Sequence, residues 1–278
     1  MRSENLILSV VCAAGVGVAV TTAWRGRKLP VVSAPMKAPQ TAGEAAQDAV
    51  RSVSTVLAAG LVAGFLVAGL GGRLLMRILG ATSGDRAQGR LTEADEVVGE
   101  ITFGGSLGFV VFVGLLLPAG ASLIYLVVRR FLPDPAWIGG LIFGLLLLAT
   151  FGVDDPLSSD NVDFRILTPL PLAVTLVVVT ALLFGATFAA LAARLDSTMG
   201  RIADPGWANK IGYVSLVALV VPFFLIPAIV YVAIRVIDRG RIGVLLEQRP
   251  IQLAGHALMS VAAIAAALIV LRTTVEIL

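Results

Sequence analysis

About seven stretches of this chain run for roughly 18 residues or more with almost no charged side chain, and nothing else in the sequence constrains the fold as strongly. They lie near residues 5–24, 52–72, 101–128, 136–153, 170–193, 211–234 and 253–271. A helix of roughly 20 residues covers the ~30 Å hydrocarbon core of a bilayer. In lipid every backbone N–H and C=O must find its partner within the protein, and a helix meets that demand within one segment. The expected fold class is therefore all-α: a polytopic transmembrane helix bundle of about seven spans, or six if the first is removed. One integral membrane domain occupies 1–278.

Composition agrees, with 58% hydrophobic residues, 14% charged and a mean hydropathy of +0.94. Net charge is +3, but the basic residues flank apolar runs, so the partner they imply is the lipid bilayer and not nucleic acid. Cys12, the single cysteine, lies inside the first run and excludes an intrachain disulfide or a thiolate metal cluster.

The first run follows Arg2 and could be a signal peptide. Arg25, Arg27 and Lys28 follow it at once, which favours an uncleaved anchor with that cluster in the cytoplasm. With seven spans this puts the N-terminus outside and the C-terminus in the cytoplasm. Pro30, Pro35 and Pro39 make 25–41 read as a flexible linker. Thr41 and Glu44 have the spacing of a capping box and start the next helix. Gly60 with Gly64, Gly140 with Gly144, and Gly185, Ala189 and Ala193 are small-residue seams that let helix backbones approach.

The longest polar connection runs from Gly71 to Gly108. Arg73 and Arg77 lie one turn apart and are expected to snorkel to the headgroups as a continuation of the second span. Ser83, Gly84 and Gly89 end that helix. Thr92 then caps a lead-in containing Glu93, Asp95 and Glu96, where carboxylates favour the helix dipole. Pro118, Pro222 and Pro227 each remove a backbone donor and are the candidate hinges.

Three patterns bear on chemistry. Gly104, Gly105, Ser106, Leu107 and Gly108 spell the G-x-S-x-G of a hydrolase nucleophile elbow, although an apolar helix replaces the strand and turn that an elbow needs. His256, the single histidine, enters the last run from the same face in a seven-span topology, which makes an intramembrane Ser106 and His256 pair a candidate catalytic site. Asp154, Asp155, Asp160 and Asp163 offer hard oxygen ligands without EF-hand spacing, and Asp160 ahead of Asp163 also fits a helix cap. No ionisable residue falls at mid-membrane depth, and no Walker, dinucleotide or HExxH motif occurs, so no cofactor is implied.

The run Gly72, Arg73, Met76, Arg77, Ser83, Gly89, Arg90, Leu91, Thr92, Glu93, Gly99, Ile101, Thr102, Gly104 and Gly105 resembles a pattern of multi-pass bacterial membrane proteins of unknown function, actinobacterial ones especially. The segment Asp160, Asn161, Asp163 and Phe164 is similar as well, and together the likeness covers roughly residues 55–195. It implies a bacterial cytoplasmic membrane and brings no activity with it.

Three functional readings follow. The first is a non-enzymatic structural or accessory protein that acts through helix packing with membrane-protein partners or a second copy. The second is a small-solute or lipid permease with space beside Pro118, Pro222 and Pro227. The third is an intramembrane serine hydrolase. The expected functional face gathers Arg73, Arg77, Glu93, Asp95 and Glu96 with the Asp154–Asp163 loop and His256.

Overall fold

Thr41 starts the longest helix as its sequence spacing requires. Its hydroxyl accepts from the backbone of Glu44 at 3.3 Å, and the Glu44 carboxylate accepts from the Thr41 backbone at 3.0 Å. The computed structural model in which this is seen describes residues 3–31, 41–85, 87–91, 98, 103–158, 160–198, 226–238, 241–246 and 248–278. The helices are α1 (Ser3–Gly26), α2 (Ala42–Thr82), α3 (Gly104–Phe131), α4 (Ala136–Gly152), α5 (Val162–Ile166), α6 (Leu170–Thr198), α7 (226–238), α8 (Arg241–Leu246) and α9 (Arg249–Ile277). Five of them, α1, α2, α3, α6 and α9, are long and apolar enough to cross a membrane, and α4 is a shorter apolar helix of 17 residues. The all-α class is as expected. Of the run at 211–234, residues 211–225 lie outside the described residues, and α7 begins at 226.

The buried interior is dominated by small side chains. Ala19, Ala49, Ala59, Ala63, Ala136, Ala189, Ala190 and Ala193 are buried, while Phe112, Leu117, Val127, Phe151 and Leu258 face outward. A water-soluble core sorts its residues by hydrophobicity, with large apolar groups inside. Helices in lipid gain nothing by hiding Leu from an equally apolar solvent, and their association rests on close van der Waals contact through small residues.

The predicted seams are where the helices touch. On the α4–α6 seam, a Cβ added to Gly140 would stand 2.8 Å from the Ala186 Cα, and one on Gly185 would stand 2.8 Å from the Gly144 Cα. On the α2–α3 seam, a Cβ on Gly60 would come 3.0 Å from the Pro118 carbonyl oxygen. These glycines are required because a neighbouring backbone occupies the space of a side chain.

Two facing wide turns were not expected. α2 turns π-helical over Gly64–Gly71 and α3 over Phe112–Leu116. The second has a visible cause: Pro118 has no N–H for the Gly114 carbonyl, and its ring would press on that carbonyl in a straight α-helix. The turn widens instead, with the Leu117 N–H reaching back to the Phe112 carbonyl. The two wide turns meet at glycine, since a Cβ on Gly114 would lie 3.2 Å from the Gly69 Cα. α2 then continues unbroken through Arg73 and Arg77 to Thr82, and Gly84 at φ 67° and Gly89 at φ 78° take the left-handed backbone that ends it.

Contacts between helices fix which ends lie together. At one end, here called the Ser83 end, the Ser83 hydroxyl accepts from the Thr168 backbone at 2.8 Å, and Arg77 of α2 donates to Ser9 of α1 at 2.6 Å. At the other, the Arg129 end, the Ala136 N–H donates to the Leu29 carbonyl at 2.8 Å and the Val31 N–H to the Asp134 carboxylate at 2.7 Å. The start of the expected flexible linker is thus pinned, with Val31 buried, because the 129–135 connection supplies it with hydrogen-bond partners.

α9 corrects the expected direction of the last span. Its His256 Nδ1 lies 3.1 Å from the Phe131 carbonyl, so it starts at the Arg129 end; Val270, three-quarters along it, packs with Leu148 and Leu157 towards the Ser83 end. α1 also begins at the Ser83 end. The two helix ends Ser3 and Ile277 therefore share one end of the bundle. α6 ends and α9 begins at the Arg129 end.

Candidate functional site

The structure separates the expected catalytic pair. Ser106 lies in the first turn of α3, whereas His256 rests against Phe131, the last residue of that helix. Twenty-five residues at 1.5 Å per residue put them roughly 37 Å apart along the axis. His256 cannot act as base for Ser106, because α9 enters at the opposite end. The Ser106 hydroxyl is buried without a hydrogen-bond partner among the described residues.

The aspartates are dispersed. Asp155 accepts from the Asn161 amide at 3.4 Å, and exposed Asp160 lies 3.8 Å from exposed Arg165. Asn161, not Asp160, caps α5, its side chain accepting from the Asp163 N–H at 2.8 Å. Asp154 lies in the turn after α4. Among the described residues no group of three or more His, Cys, Asp or Glu side chains is placed to hold a metal.

The arginines of α2 reach the neighbouring helices α1 and α3. The Arg73 guanidinium lies 4.9 Å from the centre of the Phe109 ring, a cation–π contact across to α3. Glu93, Asp95 and Glu96 lie outside the described residues, as does Pro222. Pro227 is the second residue of α7, and Pro118 is buried against α2. The expected functional face at the Ser83 end is thus without His256, which the fold carries to the other end.

What the structure does assemble is a cavity of about 530 Å³ at the Arg129 end, between the 129–135 connection and the first turns of α9. Its polar lining comes from Arg129, Arg130, Asp134, Gln252, His256 and Ser260. Their roles follow from the elements that carry them. α3 tightens to a 3-10 turn at Arg129–Phe131, which turns Arg129 inward; it is only 6% exposed. The Arg129 Nε meets no hydrogen-bond acceptor among the described residues. The Phe131 carbonyl at this helix end accepts a hydrogen bond from His256 Nδ1, so that Nε2 carries the lone pair in the neutral ring. His256 and Ser260 are joined through the backbone one turn apart, the Ser260 hydroxyl donating to the His256 carbonyl at 2.9 Å. Asp134 is engaged by Val31.

Sequence reasoning placed Arg129, Arg130 and Asp134 in a connecting hairpin and paired His256 with Ser106. The missing piece was the direction of α9. Gln252, His256 and Ser260 recur every fourth residue, a polar stripe on an otherwise apolar helix, and that spacing was the available signal.

A basic cavity with a buried arginine whose Nε meets no acceptor among the described residues can hold an anion, and the Gln252 amide can add hydrogen bonds. No protein-family model, no curated protein and no solved structure matches the chain.

Proposed function

We propose that this chain is a non-enzymatic, multi-pass protein of a bacterial cytoplasmic membrane that works as an accessory subunit, through helix packing against a protein partner. The observation that carries this reading is the state of α9. Only 11% of its apolar window is buried, against 61% for α2. Its open surface mixes exposed Ala254, Ala257, Ala265 and Ala267 with Leu258, Val261 and Leu268. Alanines on the open face allow another helix to come close, which pure lipid contact does not call for.

The six helices α1, α2, α3, α4, α6 and α9 supply the crossings in this reading. The Arg129 end faces the cytoplasm, since Arg25, Arg27, Lys28, Arg129 and Arg130 gather there, and both helix ends Ser3 and Ile277 face the other side. The likeness to multi-pass actinobacterial proteins supports the bacterial setting. The permease alternative calls for open space beside Pro118, and the packing of Pro118 against Gly60 and Gly64 weighs against it. The hydrolase alternative calls for contact between Ser106 and His256, which the fold separates.

The test is a photo-crosslinking amino acid placed at Val261 or Leu268 in the full chain, followed by extraction in native lipid and mass spectrometry. A discrete adduct with a second protein chain, either another subunit or a second copy, is the expected result. Lipid adducts alone at both positions would overturn the reading.

A further inference from the structure

We infer that the cavity at the Arg129 end is a binding site for a phosphate-bearing anion. This goes beyond the partner reading and stands on different residues.

Arg129 carries the inference. A guanidinium keeps its charge under all ordinary conditions, and burying it without a counter-charge or acceptor is costly. Arg129 is nine-tenths buried and lines the cavity, and among the described residues neither an acceptor for its Nε nor an ion-pair partner is present. The one carboxylate in the lining, Asp134, accepts from the Val31 backbone and forms no ion pair with Arg129. Arg130 adds a second guanidinium to the same lining.

The rest of the lining suits phosphate oxygens better than a single carboxylate. Gln252 can offer two amide protons, and His256, with Nδ1 held on the Phe131 carbonyl, presents Nε2 as a donor when protonated. Ser260 and the Asp134 carboxylate also line the cavity. Arg and amide donors from two chain segments converging on one space provide several charge-assisted hydrogen bonds, as a tetrahedral anion needs. The apolar part of the lining, Val31, Phe131, Leu132, Ile142 and Met259, gives a neighbouring surface for an acyl chain. The chemistry is therefore that of a phosphate ester at the membrane surface, either a phospholipid headgroup or a soluble phosphate. Basic pockets between helix ends at the cytoplasmic surface are built to hold such groups.

The experiment uses the full chain in nanodiscs containing equal parts phosphatidylglycerol and phosphatidylcholine, read by native mass spectrometry. A parallel titration with inorganic phosphate in phosphatidylcholine alone is followed by ³¹P line width. Enrichment of bound phosphatidylglycerol without phosphate broadening assigns a lipid headgroup, and phosphate broadening assigns a soluble anion. Arg129→Gln is expected to lower whichever signal is present about tenfold or more, the loss typical of one charge-assisted contact. Arg129→Lys should retain part of it, and Arg272→Gln on the far part of α9 should leave it unchanged. The inference is overturned if the wild-type chain shows neither enrichment nor broadening, a result that does not depend on how any variant folds. It is equally overturned if folded Arg129→Gln binds as the wild type does.

Discussion

Gly185→Ala is expected to abolish the stable bundle. The added methyl carbon would sit 2.6 Å from the Gly144 nitrogen and 2.8 Å from its Cα, and both are backbone atoms of a packed helix. No rotamer change relieves that contact; α4 must move away from α6 as a whole. Overpacking a tight site costs about 1–3 kcal/mol and occasionally more. Here displacement of one helix also loosens the partner glycine Gly140, so a loss of about 3 kcal/mol or more is expected. Thermal unfolding in detergent, followed by the monodisperse fraction, measures it. Gly108→Ala is the control. Its Cβ would meet nothing within 4 Å, and replacing a helical glycine there should stabilise by up to about 1 kcal/mol. That result would also show that Gly108 of the G-x-S-x-G pattern is not needed as a glycine for folding.

Truncating Tyr125 should have the second-largest effect. Tyr125 is fully buried between α3, α4 and α6, its ring centre 5.0 Å from that of Phe143 and 4.6 Å from that of Phe188. Phe188 continues the cluster to Phe184 at 5.8 Å. Tyr125→Ala removes the shared ring and leaves a cavity among three helices, at a cost of about 3–5 kcal/mol. Tyr125→Phe behaves differently. The hydroxyl is buried and has no hydrogen-bond partner among the described residues, so removing it relieves a desolvated polar group and should raise stability by about 1 kcal/mol. Unfolding midpoints of the two variants in one detergent decide this. A loss in Tyr125→Phe equal to that in Tyr125→Ala would mean that the hydroxyl, not the ring, holds the cluster.

Much of the helical framework was legible because its causes are local. The Thr41 and Glu44 capping box needs only three residues of spacing, and it is present as expected. The seams at Gly60, Gly64, Gly140, Gly144 and Gly185 were readable for a similar reason: fourfold spacing of small residues already defines a face. Helix ends at Gly84 and Gly89 followed from their backbone freedom.

What escaped reading depends on contacts between distant segments. Nothing near Gly64–Gly71 announces a π-helical stretch, which packs on Pro118 and on the wide turn of the facing helix. The direction of α9 shows only in contacts between distant segments, His256 with Phe131 and Val270 with Leu148 and Leu157. Apolar runs carry no such contact, so they set His256 beside Ser106 and hid the lining that Gln252, His256 and Ser260 share with Arg129. Arg129 itself reads as an ordinary interfacial arginine in sequence, and only the 3-10 turn at Arg129–Phe131 shows it to be buried.

The arrangement of ends is the central claim, and cysteine accessibility measures it most directly. The native Cys12 is buried and can be replaced by Ser to give a silent background. Single cysteines then go in at Ser3, Asp160 and Leu278 for the Ser83 end, and at Lys28 and Asp134 for the Arg129 end, in sealed vesicles treated with a membrane-impermeant maleimide. The account predicts that Ser3, Asp160 and Leu278 label together from one side, with Lys28 and Asp134 labelling only from the other. Labelling of Ser3 and Leu278 from opposite sides would contradict it, and would dismantle the cavity at Arg129 along with it.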